Sequence, residues 1–421
     1  MSMIETGRRE FLTLTAGAGA VAAFGGGAAF AQVPPAPQNT PIAVAPPITR
    51  EERNARLGRA QAIMRAQGIA ALLVEGGSTL QYFTGVKWGR SERLTAALLP
   101  AEGPICMITP GFEEPRVHEM LQVPGEVRVW QEHEDPALVV AGWLKDKKLA
   151  GGKIGIEETT RYFAVFGLQR ALPGVKIVSG TPVVNGCRII KTPAEIALMQ
   201  RASDITIAAY RTVGAKIQRG MAGSDIMRLM NAATTSFGGE TASGGATIDK
   251  ASAAPHGLKE PQLVKDGSVI LMDCGCTVDG YHSDISRTFI FGEPSKEQRK
   301  VWTEMHRGQE VAFEAAQLGV ACGKVDDAVR AYYDSIGYGP GYKLPGLSHR
   351  TGHGIGLDVH EPVNLVHGEP TPLAAGMCFS NEPGLYTPGV WGIRLEDCFY
   401  MTPSGPKFFS VPPPSIDKPF D

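Results

Sequence analysis

Four acids and one or two His, each on an apolar or glycine-rich segment, constrain this chain more than any other feature. Val269-Ile270-Leu271-Met272 runs straight into Asp273, so a carboxylate closes an apolar strand. Burying a lone carboxylate there would cost several kcal/mol, so Asp273 needs a partner or a cation. Tyr281 to Phe291 reads as a second strand carrying Asp284, and Asp279-Gly280 between the two is a hairpin turn signal. Pairing of these strands predicts that both Asp side chains share one face. Farther on, GHGIGLDVH (352–360) places His353 and His360 seven apart in a Gly-rich run, followed by Glu382-Pro383-Gly384 and by Gly392-Ile393-Arg394-Leu395-Glu396-Asp397. Four acids with one or two His predict a hard, oxygen-rich site for two divalent ions.

Charge leads to the same site. Two Asp and two Glu within a few ångströms carry about −4, and their repulsion would drive pKa values up unless cations are present. Two divalent ions restore the balance and leave a bridging water or hydroxide as the natural nucleophile, its pKa brought toward neutrality. Glycoside hydrolysis also uses paired carboxylates, but it has no call for the His.

The rest of the chain sets the context. Its 421 residues predict two or three domains. The charged share of 20% and formal charge of −2 exclude a disordered chain, and no basic block follows a phosphate backbone, so nucleic acid is not expected as a partner. Seven scattered Cys without CxxC spacing indicate neither a disulfide framework nor a thiolate zinc site. Arg8 and Arg9 precede an uncharged, Ala- and Gly-rich stretch from Phe11 to Ala31, with Ala29 and Ala31 bracketing Phe30. This layout resembles a twin-arginine signal (1–31) cut after Ala31, which predicts a periplasmic protein without a stable membrane anchor. The Pro-rich stretch 32–47 predicts an extended tether.

Residues 48–184 read as an α/β domain. Glu51 to Gln67 has helical spacing of Leu57, Ala60, Ile63 and Met64, and 70–74, 96–99 and 105–108 are short apolar runs suited to buried strands. This part holds no dense ligand cluster. Trp88, Arg90 and Arg93 (KWGRSER) read as a solvated loop. The second part, 185–421, opens at Thr192-Pro193-Ala194-Glu195, a capping box with Pro at the first helical position, and further helices start at Ser224 and Ser295.

The motifs MDCG, SDISRTF, GHGIGLDVHE, NEPGLY and GIRLED, in this order and spacing, resemble the pita-bread metallopeptidase family of Xaa-Pro dipeptidase, aminopeptidase P and methionine aminopeptidase. The resemblance is strong over about Lys191 to Pro403, and the first domain resembles the creatinase/prolidase N-domain more loosely. It implies an α+β protein with a smaller creatinase-type α/β domain before a pita-bread catalytic domain. It implies Asp273, Asp284, His353, Glu382 and Glu396 as metal ligands, with Asp284 and Glu396 bridging two ions, manganese ahead of cobalt, iron and zinc. His256 and His360 match outer-shell His that contact substrate, and His360 would stabilise the tetrahedral intermediate. Arg394 and His349 match positions shaping the site and the proline-side pocket, and Glu382 doubles as proton acceptor. The implied reaction is hydrolysis of the bond before proline in small peptides, by a homodimer. A dimethylsulfoniopropionate lyase shares the fold and is the alternative. It would need an aromatic cage for a cationic substrate, for which Tyr82, Trp88 and Trp391 are the candidates. Ser380-Asn381 before Glu382 departs from the family's usual Thr and apolar residue. Strand alternation turns Cys274 and Cys276 away from the Asp273 carboxylate.

Overall fold

The computed structural model describes residues 42–254 and 257–421. The twin-arginine segment 1–31, residues 32–41 of the linker, and His256 lie outside them. Residues 42–47 differ from the free tether that composition predicts. Ile42 and Ala45 lean on buried side chains, and Arg201 donates to the Ala43 carbonyl at 2.9 Å. Apolar residues set between the prolines give this short stretch something to bury.

The first globular part is built on a six-stranded sheet. Its order is Gly125–Trp130, Ile105–Pro110, Ala96–Pro100, Ile69–Glu75, Lys153–Ile156, Lys176–Ser179. Ile69–Glu75 runs antiparallel to Ala96–Pro100 and parallel to Lys153–Ile156. Its alternate side chains feed two cores: Leu72 and Val74 pack under the helix Arg50–Gln67, and Ala71 and Leu73 pack on the other face. That helix is capped by Thr49, whose hydroxyl accepts from the Glu52 N–H at 3.2 Å, and it ends at Gly68 in the left-handed region. The helix Thr181–Arg188 crosses the 184/185 boundary read from the sequence and packs on the Arg50–Gln67 helix.

The remainder repeats one layout, a helix pair followed by antiparallel strands. Helices Pro193–Gly214 and Gly223–Ser236 precede strands Ala242–Ile248 and Val269–Val278. Helices Lys296–Ala315 and Cys322–Ser335 precede Gly352–Gly354 and Glu361–Leu365. Pro193–Gly214 begins with the expected capping box, in which Thr192 accepts from Glu195 N–H and Glu195 accepts from Thr192 N–H. Ser295 caps Lys296–Ala315 with Gln298 in the same way. Gly223–Ser236 starts one residue before the Ser224 expected from sequence, because Asp225 takes the Ala222 N–H instead. An isolated bridge between Ser286 and Glu396 joins the two sheet systems where the acids converge.

Candidate metal centre

The first two acids are delivered by a hairpin. Asp279 and Gly280 both have positive φ, 49° and 82°, as a two-residue turn of this hand requires. The register pairs Val278 with Tyr281, Thr277 with His282, and Asp273 with Ser286. Asp284 therefore lies diagonally across from Asp273 on the same face. The second strand is not continuous as expected: it breaks into Tyr281–His282 and Ile285–Ile290, with Ser283 and Asp284 between. At the break the Ser283 hydroxyl accepts the Cys276 N–H at 3.0 Å, and any Cβ at Gly275 would strike the Ser283 carbonyl. Cys274 and Cys276 point into apolar cores, and burial pushes both thiols up, so they are packing residues.

His353 is brought in by the strand Gly352–Gly354. Its backbone N–H donates to the Ser380 hydroxyl at 3.0 Å, and its Nδ1 lies 3.1 Å from the Gly354 carbonyl. A carbonyl only accepts, so Nδ1 carries the proton. Burial pushes the imidazole pKa down to about 3, so the ring is neutral and Nε2 presents a lone pair. That lone pair faces Glu382 Oε1 at 3.3 Å, Asp284 Oδ2 at 3.7 Å and Glu396 Oε1 at 4.0 Å. These contacts are not ion pairs but acceptors turned toward acceptors. Ligand atoms of Asp284, His353 and Glu396 lie within 4.8 Å of one another.

The carboxylates are short of donors. Glu396 Oε2 and Asp273 Oδ1 both lie by the Ser286 hydroxyl, at 2.8 and 3.1 Å, but one hydroxyl has one proton. Glu396 Oε1 is buried with no hydrogen-bond partner. Asp273 Oδ2 receives Arg394 Nη2 at 2.6 Å. Burial first, then neighbouring carboxylates, push Asp284 and Glu396 well above the usual range. Burial likewise lifts Glu382 to about 7, against the pull of Arg394 and Arg350. An orphaned carboxylate oxygen, raised acids and a neutral imidazole with its lone pair turned inward together fit divalent metal ions.

The other expected residues fall around this cluster. Arg394 donates to Asp273, to Ser286 and, at 3.2 Å, to the Tyr386 hydroxyl. His349 uses both nitrogens inside the protein, on the Arg350 carbonyl at 2.7 Å and the Tyr386 hydroxyl at 2.8 Å, so its influence on the site runs through Tyr386 and Arg394. The His360 ring stands edge-on to His353, with centroids 4.3 Å apart, and makes no hydrogen bond among the described residues. Asn381 turns away from the centre: its side chain donates to the Gln309 carbonyl at 2.9 Å, on the helix Lys296–Ala315. Tyr82 and Trp88 form no cage for a cationic substrate, because Arg56 covers the Tyr82 ring at 4.2 Å and Arg116 lies over Trp88 at 5.6 Å.

Sequence reasoning passed over four residues. Ser286 stands opposite Asp273 in the hairpin register and could have been found from it. Tyr386 folds back so closely that a Cβ at Gly384 would strike its hydroxyl. Arg287, fully buried, holds Asp397 through two bonds of 2.7 and 3.1 Å and so fixes the segment bearing Glu396. The Arg350 guanidinium makes no hydrogen bond or ion pair among the described residues, yet its charge reaches Glu382, His353 and His360.

A mixed-sheet N-terminal domain joined to paired helices and antiparallel sheets around clustered acids defines a creatinase-type domain followed by a pita-bread metallohydrolase. Residues 197–403 match the metallopeptidase family M24, and residues 56–190 match the creatinase/prolidase N-terminal domain. A probable dipeptidase PepE of Mycobacterium tuberculosis is 32% identical over 83% of this chain and 92% of its own. An Xaa-Pro dipeptidase of Lactobacillus helveticus is 31% identical over 79% of this chain and 90% of its own. The crystal structure of a prolidase from Thermococcus sibiricus superposes with a TM-score of 0.79 at 28% identity, covering 85% of this chain and 97% of that one. The chain belongs to metallopeptidase family M24. It is a metallopeptidase that uses divalent metal.

Proposed function

We propose that this protein hydrolyses the peptide bond before proline in Xaa-Pro dipeptides, at a two-metal centre held by Asp273, Asp284, His353, Glu382 and Glu396. The observation that carries the reading is the His353 Nε2 lone pair facing three carboxylates, one of which has a buried oxygen without any donor. The names of the relatives, dipeptidase and Xaa-Pro dipeptidase, support the dipeptide and the proline. Two divalent ions, with manganese the first choice, would supply Lewis-acid polarisation and an activated water at neutral pH.

This chain's own residues do the rest. Glu382 accepts the proton of the attacking water and returns it to the leaving proline nitrogen. His360, beside His353 and without a hydrogen bond among the described residues, hydrogen-bonds the scissile carbonyl as charge develops on its oxygen. The family resemblance supports a substrate-contacting role for His256. Arg394, anchored on Asp273, Ser286 and Tyr386, keeps the ligands Asp273 and Glu396 in place. Arg350 offers an unengaged guanidinium to the free carboxylate of a dipeptide. The Arg8-Arg9 signal supports export of the folded protein to the periplasm, and the family resemblance supports a homodimer. Among the described residues no helix is long and apolar enough to cross a membrane.

Proline release from a panel of Xaa-Pro dipeptides and Xaa-Pro-Yaa tripeptides, with the protein from Gln32 onward loaded with manganese and Asp284→Ala as control, tests the reading. Cleavage of dipeptides that the control abolishes upholds it. Cleavage of tripeptides alone makes the enzyme an aminopeptidase. Silence on every peptide with metal bound removes the peptidase reading of this substrate.

A further inference from the structure

The ring of His360 meets the His353 ring edge-on but makes no hydrogen bond among the described residues, and it borders a cavity of about 190 Å³ whose walls include Thr79, Glu157, Arg188 and Asp358. Its direction toward His353 therefore depends on the backbone that carries it. That backbone is tied down on both sides of His360. Asp358 Oδ2 accepts from Arg188 Nη2 at 2.9 Å, and Glu361 Oε1 accepts from the same nitrogen at 2.5 Å. Glu361 Oε1 also takes the Asp358 N–H at 3.1 Å, closing the loop on itself, and Glu361 Oε2 takes Lys191 Nζ at 2.9 Å. Gly356 is pressed against this pair, since a Cβ there would meet both Glu361 oxygens and the Lys191 stem.

The other end of the guanidinium belongs to the first domain. Arg188 Nη1 donates to the Thr79 hydroxyl at 2.8 Å and the Ser78 hydroxyl at 3.1 Å, and Ser78 itself donates to Asp358 at 2.6 Å. Arg188 thus bridges the start of the helix Ser78–Thr84 to the loop bearing His360, through four side chains and with 10% of its own side chain exposed.

We infer that Arg188 is a positioning residue for His360, so that the N-terminal domain sets the placement of the imidazole meant for the scissile carbonyl. The inference rests on the peptidase reading above. A planar guanidinium can hold two carboxylates and two hydroxyls at once, whereas a lysine cannot span them.

The test is a double-mutant cycle on the manganese-loaded full-length protein with Ala-Pro as substrate. Arg188→Met should lower kcat/KM by roughly 10- to 100-fold, mostly in kcat, as loss of a residue supporting a catalytic group does. In a His360→Ala background the same substitution should cost nothing further. An equal loss in both backgrounds, or no loss in the first, overturns the inference. Ser78→Ala with Thr79→Val, which leaves every ion pair of Arg188 intact, should give part of the same loss and guards against a folding failure of Arg188→Met. A second readout needs no turnover. With [13C]ε1-labelled histidine, the His360 signal, assigned by its disappearance in His360→Ala, should shift in Arg188→Met and in the Ser78/Thr79 variant. An unmoved signal overturns the inference even if no peptide is cleaved, whereas a moved signal with an inactive wild type leaves the positioning intact and removes the peptidase reading alone.

Discussion

Two glutamates of this molecule, Glu361 and Glu382, have side chains only 4% and 13% exposed and yet are driven in opposite directions. Glu361 sits between Arg188 and Lys191, whose charges and hydrogen bonds overcome the cost of burial and hold its pKa down to about 2. Glu382 sits among other acids, and burial with the Asp273 charge lifts it to about 7 although Arg394 and Arg350 pull the other way. The acid with fixed cations is a finished structural contact. Glu382 has no ion pair with an Arg or Lys among the described residues, which fits its proposed role as a ligand of a bound cation. Burial alone does not distinguish a strut from a metal ligand; the charges packed around it do.

The largest effect should come from removing an acid of the second kind. Asp284→Ala should lower manganese content to near background and cut dipeptide hydrolysis by roughly 1,000-fold or more, because several kcal/mol of transition-state stabilisation leave with the metals. Metal content by mass spectrometry and initial rates check it. The comparison adds a sharper expectation: without metal, Asp284→Ala should unfold at a higher denaturant concentration than the wild type, since one of the mutually repelling carboxylates is gone. A lower midpoint would break the distinction.

Removing an acid of the first kind should do the reverse. Glu361→Ala leaves Arg188 and Lys191 facing each other without their shared partner, and breaking such a buried pair costs about 3–5 kcal/mol. Urea unfolding should show that loss with and without manganese alike, while the protein that remains folded still binds metal.

Titration should tell the two classes apart over pH. Glu382 has a pKa near 4.5 when unfolded and about 7 when folded, so the folded chain binds the extra proton between those values. Its contribution is present in full below pH 4.5 and is lost as pH rises to 7, by about 3 kcal/mol as an order of magnitude. Asp284 and Glu396 act in the same direction. The metal-free protein should therefore lose stability as pH rises from 4.5 to 7. Manganese, which competes with the protons, should flatten or invert that slope. Glu361 works oppositely: its stabilisation is present above its unfolded value near 4.5 and is lost as pH falls toward 2.

How much of this could be read from the chain differs between the two regions for a physical reason. The hairpin acids follow from an apolar run, a turn dipeptide and an alternating pattern, all local, and the register then places Asp273 and Asp284 on one face. The capping boxes at Thr192 and Ser295 are local as well. The Arg188–Glu361 contact joins residues 173 apart in the chain, and a single charge pair leaves no periodic trace. Nor did the break at Ser283 show in the sequence, because a hydroxyl substituting for a ladder carbonyl looks like any serine in a strand. The tautomer of His353 hangs on one neighbouring carbonyl, and one of the two spent nitrogens of His349 on a tyrosine 37 residues away. Local grammar made the proposed ligands visible, and only the fold could reveal what holds them.

The smallest difference is also the most discriminating, because it removes the same chemical group from each region. Ser380 accepts the His353 N–H at 3.0 Å and donates to Glu382 at 3.3 Å. Thr79 accepts from Arg188 at 2.8 Å and donates to Glu157 at 2.8 Å. Ser380→Ala and Thr79→Val should each cost about 1 kcal/mol of stability in the metal-free protein, the usual worth of a hydrogen bond. Saturating manganese should recover part of the Ser380→Ala loss, because the ion takes up the Glu382 charge that the hydroxyl had been solvating. It should recover none of the Thr79→Val loss, because the Arg188 guanidinium stays as it was. Thermal melts of the two variants at matched metal concentrations compare them directly. Equal recovery in both would mean that the surroundings of Glu382 and of Arg188 differ in degree and not in kind.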